Sequence, residues 1–313
     1  MTRIIEVVSH RNEWSSMFEA EAKLIKQALG DNCITVHHIG STAVPGLAAK
    51  PIIDILPVVK NIVQVDQSNA AMEKLGYVAK GEFGMLFRRY FQKGGDNRTY
   101  NVHVYEEGNP EIERYLKFRD WMIAHSDDRD AYGDLKKELA LKFPHDILSY
   151  VMGKDEFVAS IDAKTGFDGI RVVQALTDRE WQAVRQLRQK YFFDKVPISD
   201  PYTWTFKHAD HVHFVLYKGS KIIGYAHIQL WPDKGSALRI IVIDEIYRNS
   251  GIGSDFLKIC ERWLKEQGVK ILRIQSSPEA YRFYCKHAYI HMPFNDPDGY
   301  EGDPRDIEIG KNL

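Results

Sequence analysis

Cysteine is scarce. The three in 313 residues, Cys33, Cys260 and Cys285, are odd in number and far apart. That excludes a disulfide framework and metal-ligand spacing, and it suits a reducing compartment. No run of about 18 apolar residues occurs, so no segment reads as a membrane-spanning helix. The start, Met1-Thr-Arg-Ile-Ile-Glu6, meets charge too early for the apolar core of a signal peptide. A cytoplasmic protein is the expectation. Neither sign of charge predominates: 42 basic and 43 acidic residues leave a formal net charge of −1. Such a balance leaves no electrostatic footprint for nucleic acid or an anionic membrane. Repeats and low-complexity tracts are absent, and nothing in the sequence specifies an oligomeric state. Apolar residues, by contrast, make up 44% of a chain longer than the usual single core. Two domains are expected.

Hydrophobic periodicity predicts helices over Pro110–His125, Asp128–Phe143 and Ile147–Ile161, with Leu135, Leu139 and Phe143 on one stripe. Ala163-Lys-Thr-Gly-Phe-Asp-Gly169 has no periodicity and reads as a linker, which gives domains at 1–162 and 170–313. The second domain reads as a strand at Ile170–Ala175, a helix opened by Thr177-Asp-Arg-Glu180, and a loop near 194–202. Strands at His211–Lys218 and Lys221–Trp231 follow, joined by Gly219-Ser220. The rest alternates: strand 236–244, helix 252–267, strand 270–275, helix 278–287, and strands near 289–294 and 306–311. The fold class expected is α+β in two domains. Arg88 and Arg89 read as a solvated pair.

The most informative stretch is Ala237-Leu-Arg-Ile-Ile-Val-Ile243, then Arg248-Asn-Ser-Gly251-Ile-Gly253, then an amphipathic helix. Glycines at a helix start expose backbone N–H groups that, with the helix dipole, favour phosphate. Arg248 adds a fork suited to phosphate oxygens. About thirty residues on comes Ala280-Tyr-Arg-Phe283-Tyr284-Cys-Lys286-His-Ala288-Tyr289. Both marks, in this order and spacing, resemble the GNAT family of acyl-CoA-dependent N-acetyltransferases over roughly residues 170–313. Ala288 stands where that family usually has Gly.

The resemblance implies a mixed sheet flanked by helices and acetyl-CoA as cofactor. Its pantetheine would lie along Ile241, Val242 and Ile243, with its pyrophosphate on Arg248, Asn249, Ser250, Gly251, Ile252, Gly253 and Ser254. Tyr284 matches the tyrosine that protonates the leaving thiolate, and a tyrosine is protonated at neutral pH as an acid must be. Many relatives carry an acid near the start of the preceding strand, but here the residues are Ser236-Ala237-Leu238-Arg239. His227 is then the candidate base, with Asp244 and Glu245 as alternatives. Tyr202 and Trp204 are read as acceptor walls or as core. The final loop, Asn295–Asp306, holds five acids and one arginine, which suggests a small cationic amine as acceptor, an aminoglycoside or a polyamine. A non-catalytic acyl-CoA or nucleotide sensor is the alternative.

In the first half, His37-His-Ile-Gly40-Ser41-Thr-Ala-Val-Pro-Gly46-Leu-Ala-Ala-Lys50-Pro-Ile-Ile-Asp54 closely resembles the GrpB family. Asn101-Val-His103-Val-Tyr-Glu106, Leu116-Lys-Phe-Arg119-Asp120 and Tyr132-x-x-Leu-Lys136 extend the likeness over about residues 5–162. GrpB proteins are similar to nucleotidyltransferases, so the resemblance implies a nucleotidyltransferase-like α/β domain with a ligand pocket at Gly40, Ser41, Lys50, Asp54 and His103. Two-metal phosphoryl transfer wants several converging carboxylates. Leu56 stands where the second would fall on the strand of Asp54. A nucleotide or phosphate ligand without metal is therefore expected, with a divergent nucleotidyltransferase or a structural unit as alternatives.

Overall fold

The computed structural model describes residues 4–194, 198–299 and 302–313. The chain divides into two compact units, residues 1–171 with 218–220, and residues 172–217 with 221–313.

The first unit comprises α1 (Glu13–Leu29), β1 (Cys33–Ile39), β2 (Ile53–Val59), α2 (Asn69–Lys74), β3 (Tyr77–Ala79), β4 (Arg88–Lys93), β5 (Tyr100–Glu106), α3 (Pro110–Ala124), α4 (Ser126–Lys142), α5 (Ile147–Met152) and α6 (Asp155–Lys164). Its sheet runs β1-β2-β5-β4-β3, with β2 and β5 the parallel pair. One face of β2 carries Leu56 and Val58 into a cluster with Ile39 and Tyr105, against which Ile112, Tyr115 and Leu116 of α3 pack. The helix expected over Ile147–Ile161 is two helices, α5 and α6. The break falls at Gly153, where a Cβ would stand 2.5 Å from Leu139 Cδ2, so α4 packs against backbone there. Ala163–Gly169 is not a free linker either: it begins inside α6, and Phe167 is buried.

The second unit holds β6 (Ile170–Gln174), α7 (Asp178–Arg188), β7 (His211–Lys218), β8 (Lys221–Leu230), β9 (Gly235–Ile243), α8 (Ile252–Glu266), β10 (Ile271–Ser276), α9 (Pro278–Cys285), β11 (Ile290–His291) and β12 (Ile307–Asn312). Its sheet runs β11-β12-β10-β9-β8-β7-β6. Thr177 and Glu180 form a reciprocal cap at the start of α7, satisfying two donors that the helix cannot. In α8 the residues Phe256, Leu257, Cys260, Trp263 and Leu264 are buried on one helical stripe.

Ala288 is a local conflict between sequence and backbone. Its φ is +64°, and the Ala288 and Tyr289 N–H groups bond back to the carbonyls of Cys285 and Tyr284, the left-handed helix stop that glycine ordinarily fills. Alanine is strained there by about 1 kcal/mol or more, and glycine would return part of that through its freer unfolded chain. Ala288→Gly is expected to stabilise the second unit by up to about 1 kcal/mol, read as a higher melting temperature by calorimetry; a lower one would show that the stop is not strained.

Candidate functional site

In the first unit, β1 delivers the chain into Gly40, which has φ +70° and lies against Asp54 on the neighbouring strand. A Cβ at Gly40 would fall 2.5 Å from Asp54 Oδ2, so glycine is required both by the turn and by the carboxylate. The other oxygen is fixed by a chain of donors: Gln92 Nε2 to Tyr90 Oη (2.9 Å), Tyr90 Oη to Asn101 Oδ1 (2.9 Å), and Asn101 Nδ2 to Asp54 Oδ1 (2.9 Å). His103 Nε2 lies 3.8 Å from the same oxygen. Burial pushes the Asp54 carboxyl up, but the hydrogen bonds and charges of His103, Asn101 and Lys50 outweigh it and hold the group below its ordinary range. His103 is pushed down, first by burial.

Ser41 is engaged from a distant part of the chain. Lys136 on α4, only 3% exposed, donates to Ser41 Oγ at 2.7 Å and to the Ala48 carbonyl. Burial, then Lys154 and Lys50, push its ammonium down to about 6. Lys50 and Lys154 both lie over the ring of Tyr150, at 4.8 and 5.0 Å. Leu56 is fully buried among apolar side chains and supplies no oxygen. Arg88 and Arg89 are not a solvated pair. Arg88 is buried, donating to the Glu82 and Phe83 carbonyls, and Arg89 is paired with Asp66 at 2.7 Å.

In the second unit, β9 pairs along its length with β8, from Leu230↔Ser236 to Gly224↔Ile243. Its parallel pairing with β10 covers only Gly235, Ser236 and Ala237. Beyond that, β10 bonds to β12 on its far side, through Ile274, Gln275 and Ser276. Among the described residues, the edge of β9 over Ile240–Ile243 that faces β10 therefore has no strand paired to it. A β-bulge at Arg239, between Ile228↔Leu238 and His227↔Ile240, sharpens the divergence. The strand leads through a short 3₁₀ turn to Arg248, then to Asn249 (φ +61°) and Gly251 (φ +88°), the residue that caps α8. The amides of Ile252 and Gly253 are first-turn donors that a helix cannot satisfy itself. Arg248 Nε donates to the Ile243 carbonyl at 2.9 Å, and its guanidinium lies over the Tyr191 ring. Ser254 Oγ is 3.0 Å from His287 Nε2.

His227 opens onto a cavity of about 330 Å³ beside this edge, with Ile240 in its wall. His211 Nδ1 lies 2.8 Å from His227 Nε2, and both rings line the cavity. His213, stacked under His227 with centroids 4.3 Å apart, is held neutral. It lies 3.1 Å from the Thr205 carbonyl, which requires a proton on Nε2, so its Nδ1 accepts from Tyr225 Oη at 2.7 Å. Burial, then neighbouring imidazoles and arginines, push His227 well below its ordinary value, and burial and His208 push His211 to about 4. Both are neutral bases at neutral pH. Tyr202 and Trp204 also line the cavity and are half-exposed rather than core.

Tyr284, on α9, is not in that wall among the described residues. It is buried beside Phe283 and Tyr289, and burial followed by Cys260 raises its phenol well above the usual tyrosine value. The acidic loop departs from its reading as a field for cations: Asp296 is paired with Arg239 and Asp303 with Arg305. Its Tyr300 and Glu301, like residues 195–197 of the loop near 194–202, lie outside the described residues.

Two family models match. The first, GrpB protein, covers residues 4–164, just over half of the chain. The chain belongs to the GrpB family. Over this GrpB domain it is 46% identical across 160 residues to the UPF0157 protein YqkA of Bacillus subtilis, which spans 51% of this chain and 47% of YqkA. The chain thus matches about half of YqkA's length. A UPF0157 protein of Halalkalibacterium halodurans is 38% identical over 157 residues, 50% of this chain and 80% of that protein. A crystal structure of GrpB from Enterococcus faecalis is 43% identical, with a TM-score of 0.50, over 51% of this chain and 96% of that one. The second model, the acetyltransferase (GNAT) family, covers residues 181–289. The chain is a GrpB domain followed by a GNAT acetyltransferase domain, and no helix among the described residues is long and apolar enough to cross a membrane.

Three residues of these sites escape motif reading. Lys136 stands within a quoted GrpB match, but nothing local says that it reaches Ser41. Asn101 also stands within a quoted GrpB match, but its bond to Asp54 shows only when β5 is set beside β2. His211 joins His227 only across the β7–β8 pairing. The signal that was available is alternation: His211 and His213 on one strand and His227 on the next share one face.

Proposed function

We propose that the chain transfers the acetyl group of acetyl-CoA to a primary amine. The observation that carries this is the early parting of β9 from β10, which leaves an open strand edge running straight into the Gly251 cap of α8. An open edge takes up the pantetheine amides as an added strand would, and the cap's free amides suit the pyrophosphate. A β9 backbone N–H polarises the thioester carbonyl. The amine, having lost one proton to solvent, attacks that carbon through its nitrogen lone pair, the C–S bond breaks, and Tyr284 gives its proton to the leaving thiolate. The ammonium proton passes to the neutral His211–His227 pair, where one imidazole can hand it to the other, and both groups return to their starting states through solvent.

The test is thiol release from acetyl-CoA over a panel of amines. Tyr284→Phe is expected to lower kcat by about 10²–10⁴-fold, the usual worth of a positioned acid, with coenzyme A affinity unchanged. Coenzyme binding without turnover of any amine would instead identify a sensor.

For the GrpB domain we infer an anionic, phosphate-bearing ligand held without metal catalysis. Supporting this is the gathering of Lys50, Lys136 and Lys154 around Ser41 and one carboxylate, Asp54. With Leu56 buried, a divalent ion would find a single dependable carboxylate where two-metal chemistry uses several.

A further inference from the structure

The cavity beside β9 differs from a polycation site in both wall and charge. Phe192, Phe193, Tyr202 and Trp204 all line it. Phe192 and Phe193 are set there by a single wide turn, Gln189–Phe193, in which the Asp194 N–H bonds to the Gln189 carbonyl five residues back. Such turns are rare and re-aim the side chains that follow a regular helix. At about 330 Å³ the space is at the small end of ligand pockets, which run from about 300 to 1,000 Å³. It suits a single ring with a short arm better than a chain of charged groups or several linked sugars.

Two guanidiniums line the same cavity, and each is matched by one acid. Arg188, 1% exposed, donates Nη2 to Asp200 Oδ1 at 2.9 Å and Nη1 to Tyr225 Oη at 3.1 Å. Arg239 bonds Gln229 Oε1 and pairs with Asp296, which is 4% exposed on its side chain. Among the described residues, each guanidinium thus already has an acid partner before any substrate enters. One carboxylate at the rim differs: Asp298 accepts from the neutral Gln229 Nε2 at 2.6 Å and has no cationic partner among the described residues. Gln229 is two residues from His227 on the same strand face, so Asp298 stands near the imidazole pair, and its charge is felt at His211. The fixed positive charges of Arg188 and Arg239 are felt at His227, where they oppose a further cation inside.

We infer that the acceptor is a monoamine on an aromatic or apolar body: the ring lies against Tyr202 and Trp204, and its single amino group is received at Asp298 and deprotonated by the imidazole pair. This rests on the acetyl-transfer reading and narrows it. Among the described residues, a second or third ammonium would meet only acids already paired. It would have to displace Arg239 or Arg188 to find a partner, leaving a guanidinium with little access to solvent uncompensated.

The experiment uses the full chain with acetyl-CoA and measures kcat/KM for 2-phenylethylamine and tryptamine against spermidine and kanamycin. The arylalkylamines are expected to lead by at least about tenfold, the scale of one apolar group in a fitted pocket. Trp204→Ala, a change at a half-exposed side chain, is expected to raise KM for the arylalkylamines by about tenfold, leaving coenzyme A binding unchanged. Asp298→Asn is expected to lower kcat/KM for them without changing the fold. Preference for spermidine or kanamycin, or an unchanged KM in Trp204→Ala, would overturn the acceptor class while leaving acetyl transfer standing. Turnover of none of the four, with coenzyme A bound, would overturn acetyl transfer and the acceptor class together.

Discussion

Gly251→Val is expected to abolish coenzyme A binding, with the dissociation constant rising by at least about 100-fold, or roughly 2.7 kcal/mol. Two independent reasons converge on this residue. Its φ of +88° is a conformation that a β-branched side chain adopts only under strain, so the turn that presents the Ile252 and Gly253 amides would be reshaped. The direction in which a side chain would project is also empty, with no heavy atom within 4 Å of a Cβ. Under the proposed function that space is where the pyrophosphate approaches backbone.

Gly251→Asn separates the two causes, because asparagine tolerates the left-handed region and would keep the turn while filling the space. Loss of binding in both variants assigns the effect to occupied space; loss in valine alone assigns it to the turn. The fold itself should suffer by only about 1–2 kcal/mol, a few degrees of melting temperature. Calorimetric titration of coenzyme A is the measurement. An unchanged dissociation constant in Gly251→Val would remove the turn from the binding site.

That the backbone of this turn is legible in the sequence has a physical basis. The left-handed backbone at the helix cap is a local property, and glycine at 251 announces it. Gly40-Ser41 is legible for the same reason. What escapes the sequence is carried by side chains meeting across long separations. Lys136 is 95 residues from Ser41 and Arg239 is 57 from Asp296, and no periodicity encodes either meeting. The acidic loop shows the cost: five acids in twelve residues suggest a cation site until Arg239, at the bulge in β9, is found paired with Asp296. The break at Gly153 is similar, since a six-residue helix and its successor share one apolar rhythm. Only the approach of Leu139 shows why the chain turns there.

The stability of the GrpB domain is expected to rise with pH from about 6 to about 9, and Lys136→Met is expected to remove much of that rise. Above about 9, Cys33 and the buried tyrosines, raised in the fold, act with the opposite sign. Folded, Lys136 is held down to about 6 by burial, Lys154 and Lys50; unfolded, it returns to the ordinary lysine value of 10.5. Between these values the unfolded chain binds the extra proton, so acid favours unfolding, by up to about 1.4 kcal/mol per pH unit. Lys154 is also pushed down by burial and contributes a slope of the same sign, which the variant retains. His38 and the imidazoles of the second unit are lowered too, but from 6.5, and so act below this window. Methionine leaves Ser41 Oγ and the Ala48 carbonyl without the lysine nitrogen as donor, so the absolute stability shifts as well; the slope is the readout. A bound phosphate acts in the opposite direction to burial, favouring the protonated lysine. Inorganic pyrophosphate is therefore expected to raise the melting temperature most near the acid end of the window and to flatten the wild-type slope, while leaving Lys136→Met little changed. Differential scanning calorimetry of the full chain across this range, with and without pyrophosphate, decides both points. An equal slope in the two proteins would show that Lys136 keeps its proton in the fold. A pyrophosphate effect of the same size in both would place the anion elsewhere than at Ser41 and its lysines.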